Sequence, residues 1–347
     1  MLSTQKTALI SGITGQDGSY LAKNLIAHGY RVFGAVRRTS ALNLQRLAAL
    51  DLVDKVELRT LDMQDFASMM RLVEDVAPDE IYNLGGQSSP QASFQQPLYT
   101  GQTVGLGILR VMEAVKLVNP AIRIFEAASS EIFGLGSKKP ICEKQDFHPR
   151  SPYGVAKLFA YWSVVNYREA HGLHASNGIM FSHESPLRGM EFVTRKITTS
   201  LAQIACGSQQ MLTLGNLDNA RDWGFAGDYV EAMRLMLQQN VADDYVIASG
   251  RTHSVREFVI LAGQAIGLEI EFDGEGHETL GFDKKTGQQI IAVSADFYRP
   301  SEPGPLMGDA TKAQQKLNWQ PKLSFEELVV MMAESDLERA RNGQVWY

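Results

Sequence analysis

The chain has 347 residues, 44% of them hydrophobic and 21% charged, a composition that excludes a disordered protein and can bury one large core or two modest ones. Its net charge of −6 gives no general attraction to nucleic acid or to an anionic membrane, so we expect neither as a partner. No apolar run reaches the length of a signal-peptide core or a membrane span, and we expect a cytoplasmic protein. Cys142 and Cys206 lack the spacing of a zinc site, so we expect no metal and no disulfide.

Short β-branched segments alternate with longer helical ones from the N-terminus. The strand segments are TALISG, YRVFGAV, VELRTL, EIYNLGG, IRIFEAASS and HASNGIMF, and helical patterns such as SYLAKNLIAHG and FASMMRLVEDVAP separate them. Strands spaced by such helices form right-handed βαβ units on a parallel sheet. The sequence therefore predicts an α/β protein with a Rossmann-type doubly wound parallel sheet.

The regular alternation loosens after about residue 185. Helical patterns over VTRKITTSLAQIAC and DYVEAMRLMLQQ are separated there by turn-rich segments. We predict a Rossmann domain at residues 1–185 and a smaller α/β domain that binds the substrate at residues 186–347. A strand near residues 244–248 is expected to return to the main sheet.

A glycine-rich turn, Gly12-Ile-Thr-Gly15-Gln-Asp-Gly18, lies between the first strand and a helix. Glycines here bring the backbone close to a dinucleotide pyrophosphate at the helix N-terminus, although a plain structural turn is the alternative. About twenty residues further on, Arg37 and Arg38 stand where an acid would favour NAD, and guanidinium groups favour a 2′-phosphate. We therefore predict that residues 1–185 bind NADP, with solvated surface arginines as the alternative.

Tyr153 and Lys157 stand four residues apart in YGVAK, on one face of a predicted helix. A lysine ammonium there can stabilise a tyrosinate, which makes the tyrosine a usable acid/base; an ordinary helix face is the alternative. Ser129 and Ser130 end a predicted strand, and ligands bind at the carboxyl ends of parallel strands. We predict that the hydroxyl there polarises a substrate O4 while Tyr153 takes its proton and hydride leaves C4 for the nicotinamide.

Glu131 adds a second base beside these serines, in ASSEIFG. A C4 ketone makes the C5 proton acidic, so Glu131 can remove that proton and then protonate the hydroxyl that leaves C6. Hydride can return to C6, and the cofactor is then unchanged overall. We expect Ser129 and Glu131 to project to the same side of the strand, although a capping or ion-paired surface acid is the alternative for Glu131.

Long motifs are spread over almost the full chain: SGITGQDGSYLAKNL, EIYNLGGQS, ASSEIFG, PRSPYGVAKLFAYWSVVNYREAHG, HESPLRGMEFVTRKI, LGNLDNARDWGFAGDYVEAMRLMLQQ, HSVREF and YRPSEPGPLMGDATKAQQKLNWQPK. Together they resemble the GDP-mannose 4,6-dehydratases, which are extended short-chain dehydrogenases/reductases. The resemblance implies a lyase that converts GDP-mannose to GDP-4-keto-6-deoxy-mannose with a tightly bound NADP. It also implies a homodimer or homotetramer in which the RRTSALNLQR loop reaches the cofactor of a neighbouring subunit.

The resemblance also assigns site residues. The implied catalytic residues are Ser129, Glu131, Tyr153 and Lys157. The implied cofactor-binding residues are Gly12, Thr14, Gly15, Gln16, Asp17, Gly18, Arg37, Asp62, Met63, Leu84, Gly85, Gly86, Gln87, Ser88, Tyr99, Lys157, His183 and Arg188. The implied substrate-binding residues are Ser88, Ser182, Lys196, Arg221, Arg299 and Glu302. Taken alone, His183 could be a core histidine, and Arg221 and Arg299 could form structural ion pairs.

The chain departs from the family pattern near the substrate. Ser129 replaces a Thr and keeps the hydroxyl, whereas Ser182 replaces the usual Asn and opens space near the sugar or the phosphates. A related GDP-sugar, such as a GDP-heptose, is therefore an alternative substrate. An NADP-dependent epimerase or reductase of nucleotide sugars is a second alternative, but it has no use for Glu131. A non-catalytic NADP sensor is a third, and it would be free to lose Ser129, Tyr153 and Lys157.

Overall fold

The computed structural model of the protein describes residues 5–134, 136–137, 139–297 and 304–344. The strands, in chain order, are β1 (Thr7–Ser11), β2 (Arg31–Val36), β3 (Glu57–Thr60), β4 (Glu80–Asn83), β5 (Arg123–Ser129), β6 (Ala175–Met180), β7 (Ser182–Glu184), β8 (Leu212–Leu214), β9 (Ala220–Arg221), β10 (Trp223–Phe225), β11 (Asp244–Ile247), β12 (His253–Ser254), β13 (Ile270–Asp273), β14 (Leu280–Asp283) and β15 (Gln289–Val293). Seven of them form an entirely parallel main sheet in the order β11-β6-β5-β4-β1-β2-β3. The predicted doubly wound α/β fold is confirmed.

Helices cover both faces of the main sheet. In chain order they are α1 (Gln16–Ala27), α2 (Gln45–Ala48), α3 (Phe66–Val76), α4 (Pro90–Gln95), α5 (Pro97–Thr100), α6 (Leu106–Val118), α7 (Pro152–His171), α8 (Val193–Ala205), α9 (Ala226–Gln238), α10 (Val255–Ala265), α11 (Thr311–Leu317) and α12 (Phe325–Arg341). Side chains from α1, α9 and α11 share one core cluster with the sheet, and side chains from α3, α6 and α7 share another. The sheet is therefore the middle of three layers.

The strand sequences explain this layering. Successive side chains of a strand point to opposite faces: Ala8 and Ile10 of β1 belong to the cluster with α1 and α9, and Leu9 belongs to the cluster with α3 and α6. Because both faces are covered, the strands read as continuous apolar runs rather than as an alternation of apolar and polar residues. A buried charged residue in such a run therefore needs a specific partner.

A second, smaller core lies beyond the main sheet. The mixed sheet β13-β14-β15-β8 packs with α8, α10 and α12 around buried residues that include Trp223, Phe258, Ile291 and Leu328. Four short strands form two further pairs, the parallel pair β7–β10 and the antiparallel pair β9–β12. In the sequence, each of them lies where the chain passes between the main sheet and the smaller core. These short strands carry residues predicted to bind the substrate.

The chain returns to the main sheet after it has entered the smaller core. Strand β11 pairs in parallel with β6, Asp244 opposite Asn177, at the edge of the main sheet. Helix α9, which precedes β11, packs against α1. Residues after 185 therefore complete the main sheet, and the division of the chain at residues 185 and 186 stays a prediction.

The strand order creates a crevice in the middle of the main sheet. Strand β1 lies between β2 and β4, so the connections after β1 and β4 leave in opposite directions. In open α/β sheets, ligands bind at such a switch point, outside the carboxyl ends of the strands. Helix α6 is preceded by a π-helical turn, Gly101–Gly105, which packs against α7.

Candidate active site

The turn after β1 leaves room for a phosphate group. Gly12 has a φ of 72°, and a side chain there would place a Cβ atom 2.7 Å from the carbonyl oxygen of Leu84. Gly15 is the extended N-cap of α1 and has no side chain to cover the N–H groups of the first turn, which bind anions. The turn therefore fits a dinucleotide pyrophosphate. The predicted residues Gly12, Thr14, Gly15, Gln16 and Gly18 all lie in it or in the first turn of α1.

A second loop borders the glycine turn from β4. The Ser11 hydroxyl, at the end of β1, accepts hydrogen bonds from the N–H groups of Leu84 at 3.1 Å and Gly85 at 2.9 Å. The same hydroxyl donates to the side-chain oxygen of Asn83 at 2.8 Å. These bonds hold the start of the loop against β1. The predicted residues Leu84, Gly85, Gly86, Gln87 and Ser88 form this loop.

The ends of β2 and β3 carry another group of predicted residues. Arg37 follows β2, and its guanidinium donates a hydrogen bond to the Tyr99 hydroxyl at 2.8 Å. Asp62 follows β3, and its carboxylate accepts the N–H of Gln64 at 2.9 Å. Met63 lies beside it and packs partly against the core. A dinucleotide fold places the adenosine ribose near the end of β2, so Arg37 lies where a 2′-phosphate would be bound.

Asp17 and His183 join α1 to β7. His183 Nε2 lies 2.8 Å from Asp17 Oδ2, and Gln16 donates a hydrogen bond to the His183 carbonyl at 3.1 Å. Burial acts to raise the pKa of Asp17, but the positive charges of His183 and Arg188 outweigh it and lower this pKa to about 2. Burial acts to lower the pKa of His183, and Asp17 raises it above its usual value. Each group therefore stabilises the charged form of the other.

Ser129 and Glu131 reach one cavity by way of a turn. Ser129 ends β5, and Glu131 lies in the 3₁₀ turn Ser130–Ile132 rather than on the strand. The expectation that strand pleating alone aligns the two residues is therefore wrong, because the Ser129 hydroxyl accepts the Glu131 N–H at 3.3 Å and the chain turns there. Both side chains nevertheless line the same cavity.

Helix α7 brings Tyr153 and Lys157 to this turn. Ser151 caps the helix by accepting the N–H of Gly154 at 3.0 Å. A Cβ at Gly154 would lie 2.8 Å from the Glu131 carbonyl oxygen, so glycine allows the helix to approach the turn after β5 closely. Lys157 Nζ lies 5.9 Å from the centre of the Tyr153 ring and donates to the backbone carbonyl of Ala127. The tyrosine and lysine of YGVAK therefore lie together at the end of β5.

One cavity of about 420 Å³ collects the predicted catalytic residues and part of the predicted binding residues. Its wall includes Asp17, Leu84, Ser88, Ser129, Glu131, Tyr153, Lys157, Ser182, His183, Arg188, Lys196 and Arg221. The other predicted cofactor residues that the structure describes continue from this wall along the glycine turn and the ends of β2 and β3. Together they outline an elongated site along the carboxyl edge of the main sheet.

Cations lie on the cavity wall that comes from the smaller core. Lys196 on α8 lies 3.6 Å from the centre of the Phe297 ring, and burial lowers the pKa of its ammonium. Arg221 on β9 and Ser182 on β7 complete this side. Arg299 and Glu302 lie outside the residues that the structure describes.

The described part of the chain contains neither a candidate metal site nor a candidate membrane-spanning helix. No group of three or more His, Cys, Asp and Glu side chains is arranged to hold a metal ion in those residues. None of the helices described there is both long and apolar enough to cross a membrane.

The sequence is similar to those of known proteins over most of its length. The family model described as GDP-mannose 4,6 dehydratase matches residues 9–332. A GDP-mannose 4,6-dehydratase of Sinorhizobium fredii is 48% identical over 98% of this chain and 99% of its own length. The GDP-mannose 4,6 dehydratase of Homo sapiens is 47% identical over 98% of this chain and 93% of its own length. The chain belongs to the GDP-mannose 4,6-dehydratase family.

Solved structures of more distant proteins share the fold of this family member. The dTDP-glucose 4,6-dehydratase DesIV of Streptomyces venezuelae, solved with NAD, superposes with a TM-score of 0.81 at 19% identity, over 97% of this chain and 98% of DesIV. RMD of Pseudomonas aeruginosa, solved with NADPH, superposes with a TM-score of 0.74 at 20% identity, over 96% of this chain and 100% of RMD. At these identities the comparison supports the fold alone.

The partners of two residues of this GDP-mannose 4,6-dehydratase family member could not be predicted from the sequence. Glu126, in the middle of β5, lies 3.4 Å from Lys157 Nζ, and Arg46 donates to the backbone carbonyls of Leu187 at 2.7 Å and Thr14 at 3.3 Å. Glu126 did carry a signal, because it is the single charged residue within the run IFEAASS. Arg46 ends the RRTSALNLQR loop, but its partners could not be predicted, because they are backbone atoms far away in the chain.

Proposed function

We propose that the protein converts GDP-mannose to GDP-4-keto-6-deoxy-mannose. The observation that carries the proposal is the presence of Glu131 in the same cavity wall as Ser129, Tyr153 and Lys157. A hydroxyl, a tyrosine and a lysine suffice for oxidation at C4. An additional carboxylate is what elimination of water across C5 and C6 requires.

Oxidation at C4 uses the residues at the end of β5 and the start of α7. Ser129 donates a hydrogen bond to the sugar O4, and Tyr153, as tyrosinate, accepts the O4 proton. Lys157 keeps a positive charge beside the tyrosinate. A nicotinamide cofactor held by the glycine turn after β1 and the loop after β4 would supply the hydride acceptor for C4 and the hydride donor for C6.

Elimination of water uses Glu131. The C4 ketone acidifies C5–H, and the Glu131 carboxylate removes that proton. The resulting carboxylic acid protonates the C6 hydroxyl, the C6–O bond breaks, and water leaves with a double bond formed between C5 and C6. Reduction at C6 is accompanied by protonation of C5. The proton that Tyr153 accepted from O4 balances this step when it passes to C5, so Tyr153 and Glu131 both return to their starting states.

We further propose NADP rather than NAD as the cofactor. Support comes from Arg37, which lies after β2 and is oriented by the Tyr99 hydroxyl. The predicted cofactor and substrate residues keep their proposed roles, with Lys196 and Arg221 binding the diphosphate as fixed cations. A homodimer or homotetramer is part of the same proposal, and its support is an exposed apolar stripe on α7.

A GDP-sugar with a larger group at C6, such as a GDP-heptose, is the second candidate substrate. Ser88, Ser89, Ser129, Ser130 and Ser182 all line the cavity, and short side chains leave space beside the sugar. Equal turnover of GDP-mannose and a GDP-heptose by the same preparation would favour this broader substrate class.

The test incubates the purified protein with GDP-mannose and NADP and measures the mass of the sugar nucleotide by mass spectrometry. We expect loss of one water without net formation of NADPH. Glu131→Gln should reduce dehydration at least about 100-fold, because the amide cannot remove the C5 proton, while a 4-keto intermediate still forms. Glu275→Gln, the same change in an exposed turn, is the matched control. Full dehydration by Glu131→Gln would refute the proposed role of the carboxylate.

A further inference from the structure

Glu126 is a buried carboxylate that the proposed reaction does not use. It lies in the middle of β5, and only 1% of the residue is exposed. Its Oε1 lies 3.4 Å from Lys157 Nζ, and its Oε2 accepts a hydrogen bond from the Asn83 amide at 2.6 Å. The carboxylate therefore lies behind the lysine, on the side away from the cavity.

A carboxylate at this depth requires a partner of opposite charge. An isolated buried carboxylate is strongly unfavourable, and a buried ion pair is tolerated when hydrogen bonds complete it. Burial raises the pKa of the Glu126 carboxyl, while Lys157 and Asn83 act in the opposite direction. Burial alone would lower the pKa of Lys157, yet this pKa is raised, with Glu126 as the largest favourable influence and Tyr153 and Asp17 as smaller ones.

Further hydrogen bonds hold the Glu126 carboxylate on its side away from Lys157. Asn83, which donates to Glu126, accepts a hydrogen bond from the Ser11 hydroxyl at 2.8 Å. Ser11 in turn accepts the N–H groups of Leu84 and Gly85. A continuous chain of hydrogen bonds thus joins Lys157 to the loop beside the glycine turn, and it fixes the orientation of the carboxylate.

We propose that Glu126 is a positioning residue whose negative charge keeps Lys157 protonated and fixed behind Tyr153, so that the tyrosine rather than the lysine is the group that lacks a proton during catalysis. The proposal rests on the proposed dehydratase function. Neutral amides, Asn83 on β4 and Asn177 on β6, lie opposite Glu126 on the flanking strands. The charged or titratable groups that act on Lys157 are Glu126, Tyr153 and Asp17, and the last of these is paired with His183.

The first test compares pH–rate profiles of the enzyme with bound NADP. Glu126→Gln keeps the shape of the side chain and removes its negative charge. Lys157 should therefore lose its proton at a lower pH. We expect the alkaline limb of kcat to move to lower pH by on the order of one unit, with kcat reduced several-fold and KM nearly unchanged, because Glu126 does not line the cavity. Glu126→Asp keeps the charge and should retain more of the alkaline activity.

Glu80→Gln is the matched control. Glu80 is a fully buried carboxylate on the neighbouring strand β4, but its partners are Lys6, Tyr30, Tyr82 and Gln238. We expect this variant to lose stability without a change in the alkaline limb. A limb that stays in place in Glu126→Gln, or that moves equally in Glu80→Gln, would overturn the proposal.

A second measurement needs neither turnover nor a substitution of Glu126. Carbon-13 NMR of ε-labelled lysines in the NADP-bound wild-type enzyme reports the protonation of Lys157, whose signal is assigned by its loss in Lys157→Arg. We expect Lys157 to keep its proton to higher pH than the exposed lysines. Loss of the proton at a lower pH than theirs would overturn the proposal. Because no substrate is present, this result is independent of whether the enzyme dehydrates GDP-mannose.

Discussion

Arg37 is the residue on which our proposal of NADP as the cofactor depends. It lies just after β2, and its hydrogen bond to the Tyr99 hydroxyl fixes the guanidinium in one orientation. A planar guanidinium held in this way binds a phosphate with two parallel hydrogen bonds, whereas the free 2′-hydroxyl of NAD offers no charge to bind. The preference for NADP that we propose should therefore depend on this side chain more than on other exposed arginines.

Arg37→Ala should weaken NADPH binding by at least about tenfold, the effect of losing one charge-assisted contact of about 1.5 kcal/mol, and should leave NADH binding nearly unchanged. Fluorescence titration of the protein with both reduced cofactors measures this ratio. Arg31→Ala is the control, since Arg31 is an exposed arginine at the start of the same strand and is paired with Glu57 at 2.6 Å. Equal weakening of both cofactors would contradict the role given to Arg37.

At the scale of single residues, the sequence allowed prediction of contacts that depend on short spacing. Tyr153 and Lys157 follow from the helical period, and Ser129 follows from the end of an apolar run. Glu126 could not be assigned a partner from sequence, because its contacts come from β4 and α7, and the register that sets Asn83 opposite Glu126 depends on the pairing of distant strands.

At the scale of elements, a buried ion pair joins α8 to α12. The carboxylate of Asp336 accepts hydrogen bonds from Arg195 at 3.1 Å, Thr198 at 2.6 Å and Arg339 at 2.8 Å. Arg339 also donates to the Pro186 carbonyl at 3.0 Å. The C-terminal helix is thus connected to the segment after β7, which carries cavity residues.

Asp336→Ala should lower the free energy of unfolding by about 3 to 5 kcal/mol, because it leaves the guanidinium of Arg195 buried without a counter-charge. Urea denaturation followed by circular dichroism measures the change. Glu334→Ala, an exposed position on the same helix, should change stability by less than about 0.5 kcal/mol. Similar losses of unfolding free energy in the two variants would show that the buried ion pair contributes no more to stability than an exposed residue does.

The elements of the main sheet could be predicted because short strand segments alternate with longer helical segments along the chain. The smaller core could not be predicted in the same detail. Its sheet pairs β8 with β15, two strands separated by much of the smaller core, and β9 and β12 have two residues each, too few to show any period. The π-helical turn before α6 gave no signal either, since its residues also fit an ordinary helix.

At the scale of the whole molecule, α7 presents an apolar stripe to solvent. Val155, Phe159 and Trp162 are 56%, 46% and 53% exposed, and their spacing of four and three residues puts them on one side of the helix. Leu109 of α6 and Leu158 border the same groove. A contiguous exposed patch of this kind marks an interaction surface, and a second copy of the chain is the partner we propose.

Sedimentation velocity should show a dimer or a larger oligomer of the wild-type chain. Phe159→Asp should shift it toward the monomer, because a carboxylate would be buried without a partner in the contact. Val241→Asp is the control, since Val241 is 76% exposed and lies outside α7, between α9 and β11. This substitution should leave the oligomer intact. A wild-type monomer, or an unaffected oligomer in Phe159→Asp, would exclude this surface.

The position of β11 has a consequence for how the protein folds during its synthesis. When β6 leaves the ribosome, its outer edge has no neighbour, because the strand that pairs with it begins only at Asp244. The intervening residues belong to β7–β10, α8 and α9. Until they are made, the nascent sheet exposes an open edge of the kind that pairs with other chains. Chaperone binding to nascent chains should therefore persist until β11 has emerged.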